Sequence, residues 1–278
     1  MVLKLIKILQ SDYKLIGKEF ADVVNDRDIP KWIFIYFIPQ MIRNINSYDI
    51  SIYLEELFEY LMANYPEALV YPFNCSYPRK NNCHIKLSLD MYTHLHERMG
   101  KYFEFINNLV LVQHPEMRLK DILTRYRTHG EVEDAMIELE EFIAHNPYMG
   151  KYNMRFYENY RNKIEKIIDM KKRGLHRDVG EEIRKVLESL DPSKCNMRYF
   201  TKLSDGSLWF EEYNMSDWMK LEVPGIIYNK FEQPLPWNKV YIESFDSSIL
   251  TLQSIRRPKR ISILGSNEKT YMLLVKGG

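Results

Sequence analysis

The periodicity of the apolar residues changes once along the chain, and this change limits the possible fold more than any other feature. As far as about residue 190, apolar residues recur at the spacing of amphipathic helices. Beyond Asp191 and Pro192, short apolar runs separated by turn residues are typical of strands. A sequence patterned for helices does not settle as strands. We therefore predict a mainly α chain that ends in a small α+β region with antiparallel strands, with the firmest domain boundary near residue 195.

Several helices are predicted ahead of that boundary. The cleanest pattern spans residues 50–62, where Asp49 is a suitable N-cap and Pro66 is expected to end the helix. The proline-rich stretch 65–82 is predicted as a loop. The other predicted helices cover residues 2–24, 31–45 with a kink at Pro39, 85–109 with a break at Gly100, 117–126, 132–143, 156–168 and 178–190.

Composition excludes several functional classes. The net charge is +1, so no global field draws the chain to nucleic acid or membranes, and phosphate contacts must come from local basic clusters. The three cysteines, Cys75, Cys83 and Cys195, suit free thiols in a reducing compartment, and no second ligand pair completes a tetrahedral metal site. The N-terminus lacks the features of a signal peptide, and the longest apolar run, 32–38, is too short to cross a bilayer. We expect a cytosolic or nuclear protein without a metal site.

The last predicted strands carry the strongest candidate for a binding site. Strands are predicted at residues 220–223, 239–245, 249–252, 260–264 and 271–276, and the apolar run 272–275 has the composition of a central strand. A basic turn, residues 254–260, precedes the fourth of them. Backbone N–H groups in such a turn, the Ser254 hydroxyl and the Lys276 ammonium could together hold nucleotide phosphates. The alternative interpretation is an exposed basic hairpin with a solvated lysine, since no glycine-rich signature is present.

Particular motifs in this region resemble the start of the kinase domain in phosphatidylinositol 3-kinase-related protein kinases. These motifs are Phe245-Asp246, the run 252–265 with its Arg-Arg-Pro-Lys-Arg turn, and the run 271–278 that ends Leu-Val-Lys-Gly-Gly. Upstream, residues 30–41 and 64–73 resemble the end of the helical FAT region of that family. Residues 221–225 and 234–236 resemble the approach to its kinase N-lobe.

The resemblance implies roles for individual residues. Ser254 would be the hydroxyl of the phosphate loop, Ile255 and Arg256 would supply loop backbone, and Lys276 would contact the ATP phosphates. The family uses ATP with magnesium to phosphorylate serine and threonine of protein substrates. The motifs match best the member that works in the nucleus, with the Ku heterodimer at DNA ends, in end joining of double-strand breaks. No membrane role is implied.

The resemblance also implies a domain order. Residues 1–82 would close the FAT-type helical repeats, 83–174 would form a four-helix rapamycin-binding-like bundle, 175–196 would be a linker helix, and 197–278 would begin a truncated catalytic domain. The catalytic and metal-binding loops of the family are not found in the sequence, so we expect this chain alone to be inactive and to bind ATP weakly. Two alternatives stay open: a non-catalytic helical scaffold of a pseudokinase, or a checkpoint or nutrient-sensing kinase of the same family.

Overall fold

A computed structural model describes residues 2–26, 28–45, 47–76, 86–128, 132–144, 146–190, 201–215, 219–226, 232–254 and 257–276. The predicted fold class is confirmed: helices dominate, and one three-stranded antiparallel sheet follows them. The chain divides into two compact units, Met1–Glu104 with Leu221–Tyr241 and Phe105–Lys220 with Ile242–Gly278. The predicted boundaries at 82/83, 174/175 and 196/197 stay predictions, and the first and last of them lie outside the described residues.

The first unit is built from helices whose apolar faces share a core. Ile38, Met41 and Leu57 are among its fully buried side chains. The elements are α1 Val2–Ser11, α2 Tyr13–Asn25, a 3-10 helix Lys31–Phe37, α3 Ile38–Ile42, α4 Tyr48–Ser51, α5 Glu55–Asn64, α6 Pro66–Ser76 and α7 Lys86–Arg98; α8 Gly100–Val112 begins in this unit and ends in the second.

Prolines and turns divide this unit differently from the prediction. Pro39 lies in the first turn of α3, where a missing N–H costs little, so two short helices replace the predicted kinked one. A turn at residues 52–54 splits the predicted helix 50–62 into α4 and α5. The loop predicted from residue 65 is wrong for residues 66–76, because Pro66 begins α6.

A buried ion pair fixes the segment Leu221–Tyr241 within the first unit. The Lys239 ammonium lies 2.7 Å from Oε1 of Glu222 and 3.4 Å from Oε2 of Glu67. The Glu222 N–H donates to the Tyr102 hydroxyl at 3.0 Å, and the Tyr71 hydroxyl donates to the Glu222 carbonyl at 3.2 Å. Instead of the strand predicted at 220–223, this segment makes one isolated bridge between Glu222 and Tyr241. Burial raises the pKa of Tyr102, which keeps the hydroxyl protonated.

The second unit has its main apolar core between four helices. They are α9 Pro115–Thr128, α10 Val132–Ile143, α11 Lys151–Lys172 and α12 His176–Ser189, and two short helices follow, α13 Leu203–Gly206 and α14 Trp209–Glu212. Each of the four long helices contributes to one continuous buried cluster, for example with Leu123, Leu139, Ile164 and Ile183. Because α12 contributes Val179, Ile183 and Val186 to that cluster, it packs as a member of the helical core.

The sheet of the second unit has the order β1-β2-β3, with β1 Ile242–Thr251, β2 Lys259–Gly265 and β3 Thr270–Val275. Two predicted strands, 239–245 and 249–252, are one strand with register irregularities in the structure. The prediction of a central strand at 272–275 is wrong for the described sheet. There β2 is central, and Met272 and Leu274 on β3 are 60% and 51% exposed.

Candidate functional site

The predicted phosphate turn joins β1 to β2 and is closed by backbone hydrogen bonds. Thr251 lies opposite Lys259 in the ladder, and the Leu252 N–H donates to the Pro258 carbonyl at 2.9 Å. The Arg257 N–H donates to the Ser254 carbonyl at 3.0 Å. Ser254 is exposed at the tip of the turn, as its predicted role requires. The predicted contributors Ile255 and Arg256 lie outside the described residues.

Arg257, within this turn, has an uncommon backbone conformation. Its φ angle is 42°, in the left-handed region that residues with a Cβ rarely adopt. The following residue is Pro258, which itself restricts the backbone of the residue before it. A strained residue in a tight turn persists only where the surrounding structure holds it. The backbone of Arg257 is therefore held in this conformation by the residues packed around it.

The sheet brings Lys276 to the same end as this turn. Lys259 lies opposite Thr251 on one side and opposite Val275 on the other, so three strand ends are level with one another. Lys276 directly follows Val275 and is exposed. The turn and the predicted ATP lysine therefore lie at the same end of the sheet, where the Ser254 hydroxyl and the Lys276 ammonium can face one anionic ligand.

Lys259 is a site residue that the sequence analysis missed. It belongs to the basic run 254–260, yet its side chain is fully buried, and its Nζ donates to the Val112 carbonyl at 2.8 Å. Burial lowers the pKa of Lys259 to about 6, although the carboxylates of Glu116 and Asp205 act in the opposite direction. The signal was available in the strand period, because Lys259 shares a sheet face with Ile261 and Ile263.

A second buried polar cluster lies at the junction of α8 and α9. The Tyr152 hydroxyl on α11 donates to Glu116, and Nδ1 of His114 lies 3.8 Å from Oε2 of Glu116. Burial lowers the pKa of His114 and favours the neutral ring. Burial acts to raise the pKa of Glu116, but the proximity of His114 and the hydrogen bond from Tyr152 outweigh it and lower that pKa. Glu116 is therefore ionised, and its charge acts on Lys259.

Aromatic packing supports the sheet from beneath β1. The Phe245 ring lies 5.0 Å from Phe210 and 5.7 Å from Phe105, both measured between centroids. Trp209 and Tyr213 complete the group, and the Tyr213 hydroxyl donates to the Ile242 carbonyl at 2.9 Å. Ring pairs at these separations stabilise by more than their buried area alone. This group fixes β1, and with it the start of the phosphate turn, on α8 and α14.

A polar joint connects α8, α11 and α13 beside the aromatic group. The Asn153 amide donates to the Leu111 carbonyl at 2.6 Å and to the Gly206 carbonyl at 2.8 Å. The Ser207 hydroxyl donates to Asn108 at 2.7 Å. The Gly150 N–H donates to the Gly206 carbonyl at 2.9 Å. These bonds hold α13 against the two longer helices.

The described residues contain neither a metal-binding group nor a membrane span. No three His, Cys, Asp or Glu side chains in the described ranges lie close enough together to hold a metal ion. Of the helices in the described part of the chain, none combines the length and the apolar character needed to cross a bilayer.

The basic turn, the strand-end lysine and the helices that precede them are similar to the corresponding part of phosphatidylinositol 3-kinase-related protein kinases. The particular relative is the DNA-dependent protein kinase catalytic subunit. The chain is 27% identical to that protein from Dictyostelium discoideum over 99% of its own length. It is 28% identical to the Xenopus laevis protein and 29% identical to the Canis lupus familiaris protein, and each match covers 90% of this chain. The resemblance predicted from the motifs is therefore confirmed.

The match covers only a small part of each relative. The chain spans 7% of the Dictyostelium protein and 6% of the Xenopus and dog proteins. No protein-family model matches the chain.

Proposed function

We propose that this chain forms the phosphate-binding edge of the ATP site in a serine/threonine kinase similar to the DNA-dependent protein kinase catalytic subunit. One observation carries the proposal: the ladder places the turn at Ser254 and the lysine at 276 on the same end of one sheet. The similarity to five curated relatives supports the kinase class. Phosphorylation of protein substrates with Mg-ATP, work with Ku at DNA ends, a role in end joining and a nuclear location are parts of the same proposal.

The residues would act by positioning and by charge neutralisation. The Ser254 hydroxyl and the backbone N–H groups of Ile255 and Arg256 would donate to phosphate oxygens, and the Lys276 ammonium would place a positive charge beside them. Phosphoryl transfer depends largely on such positioning and electrostatic stabilisation. These residues supply no general base, so we expect the chain by itself to transfer no phosphoryl group. We also expect the chain by itself to bind ATP weakly.

A non-catalytic helical scaffold is the alternative proposal. The continuous core of α9 to α12 favours it, because a packed helical unit of that size can serve as an interaction module without the sheet. The two proposals differ in whether the turn and Lys276 respond to nucleotide, so one experiment separates them.

That experiment is a titration of the isotope-labelled chain with Mg-ATP to millimolar concentration, followed by NMR of the backbone amides. We expect shifts confined to residues 254–257 and to Lys276. Lys276→Ala should weaken binding about 10- to 100-fold, because a hydrogen bond to a charged group contributes about 1.5–3 kcal/mol. Lys269→Ala, in the turn at the other end of the sheet, is the matched control and should change nothing. Absence of shifts in the unmodified chain, or equal effects of the two variants, would support the scaffold instead.

A further inference from the structure

Lys259 links the phosphate turn to the end of a helix. It is the first residue of β2, it follows the turn directly, and it is fully buried. Its Nζ donates to the carbonyl of Val112, the last residue of α8, at 2.8 Å. This carbonyl is one of the four at a helix C-terminus that have no partner within the helix. Lysine side chains near a helix C-terminus commonly donate to such carbonyls.

The position of Lys259 in the ladder connects this contact to the site. Its backbone lies between Thr251, which begins the turn, and Val275, which precedes Lys276. A displacement of Lys259 would therefore move both halves of the site together. A turn that contains a strained residue, Arg257, depends on such an anchor to keep its shape.

The helix end to which Lys259 binds is itself fixed. Glu116, in the first turn of α9, accepts a hydrogen bond from Tyr152 on α11, and His114 lies between α8 and α9. The Asn153 amide on α11 donates to Leu111, one residue before Val112. The C-terminus of α8 is thus held by the helical core, and Lys259 joins the sheet to that fixed point.

We propose that Lys259 is a positioning residue through which the C-terminus of α8 sets the geometry of the phosphate turn and of Lys276. The function of this contact rests on the proposed phosphate site, whereas the contact itself does not. A change in the α8–α9 junction would be passed to the site through the bond between Lys259 and Val112. The helical core would in this way regulate nucleotide affinity without touching the nucleotide.

The test replaces Lys259 with methionine, which keeps an unbranched apolar stem and removes the donor. Amide hydrogen exchange is measured at both ends of the sheet. The reporters at the site end are Leu252 and Arg257, and those at the other end are Gly265 and Glu268, all four bonded to backbone carbonyls. Arg260→Met, the same kind of change at the exposed neighbouring residue, is the control.

We expect Lys259→Met to speed exchange at the site end by about tenfold or more and to leave the other end within about twofold, because loss of one anchor opens the sheet locally. The same variant should weaken Mg-ATP binding by about tenfold, because the site loses the positioning that the hydrogen bond between Lys259 and Val112 provides. Tenfold corresponds to the free energy of one hydrogen bond of ordinary strength. Arg260→Met should change neither quantity. Equal acceleration at both ends would reduce Lys259 to a general packing residue and overturn the proposal, as would unchanged exchange at Leu252 and Arg257.

A second variant covers the case in which Lys259→Met fails to fold. Tyr152→Phe removes the hydroxyl that donates to Glu116 and leaves the aromatic ring in place. It should speed exchange at Leu252 and Arg257 in the same direction by a smaller factor, and no acceleration there would contradict the proposal. If the unmodified chain shows no Mg-ATP binding, the proposed function fails, while the exchange measurement still decides whether α8 positions the turn.

Discussion

Replacement of Gly150 by alanine tests the joint that holds α13 beside the site. A Cβ at this position would lie 2.3 Å from the Ser204 carbonyl oxygen and 2.5 Å from that of Asp205. Both atoms belong to the backbone, so neither can turn aside as a flexible side chain would. Ordinary contact begins near 3.4 Å, so α13 must move by about 1 Å or strain must be absorbed. Overpacking of this kind costs about 1–3 kcal/mol, and we expect about 3 kcal/mol because the clash involves backbone on both sides.

The measurement is urea unfolding followed by the fluorescence of Trp209, which lies in the same unit. Gly180→Ala is the matched control, because a Cβ at Gly180 meets nothing within 4 Å. Gly180 lies inside α12, so the control should stabilise the chain by about 0.5–1 kcal/mol. Equal free energies of unfolding for the Gly150→Ala variant and the unmodified chain would refute the argument that these carbonyls approach Gly150 so closely.

Two further predictions concern the turn itself. Arg257→Gly should be more stable than Arg257→Val by about 1–2 kcal/mol, because only glycine adopts a φ near 42° without steric cost; unfolding of the two variants by denaturant measures this, and equal stability would contradict it. The second prediction concerns pH. Burial lowers the pKa of Lys259 to about 6 from its ordinary value of 10.5, so between those values the unfolded chain binds more protons. The stability of the unmodified chain relative to Lys259→Met should therefore rise between pH 6.5 and pH 9, and a constant difference in free energy of unfolding would refute it.

The sequence was sufficient where local pattern decides structure. The alternation along residues 260–264 and the polar turn at 266–269 predicted β2, β3 and their connection. The loop predicted at residues 66–76 from their prolines is wrong, because Pro66 at the first position of a helix needs no N–H partner and α6 contains Pro72 within it. A proline therefore does not by itself mark a loop, because the structure accommodates it both at the start of α6 and within it.

The site was predictable only in part, for a reason that lies in the chain's long-range contacts. Ser254 and Lys276 were predicted from their motifs, and their roles stay predictions. Lys259 was assigned to the basic turn 254–260; the strand period indicates that it lies on a buried face, but no local signal shows that the carbonyl of Val112 lies near it. The aromatic group around Phe245 likewise includes Phe105, which is remote in sequence. Contacts of this kind depend on tertiary packing, which periodicity and composition do not report.

The interrupted course of the first unit has a consequence for synthesis of the protein. That unit combines residues 1–104 with 221–241, so the ribosome makes the whole of residues 105–220 before the first unit can be completed. Glu222 and its partner Lys239 arrive together on this late segment, while Glu67 and Tyr102 are made much earlier. Because synthesis proceeds at about 5–20 residues per second, the early helices lack the segment 221–241 for several seconds. Until then their apolar surface is available to chaperones, and a pause in translation before residue 221 would prolong that exposure.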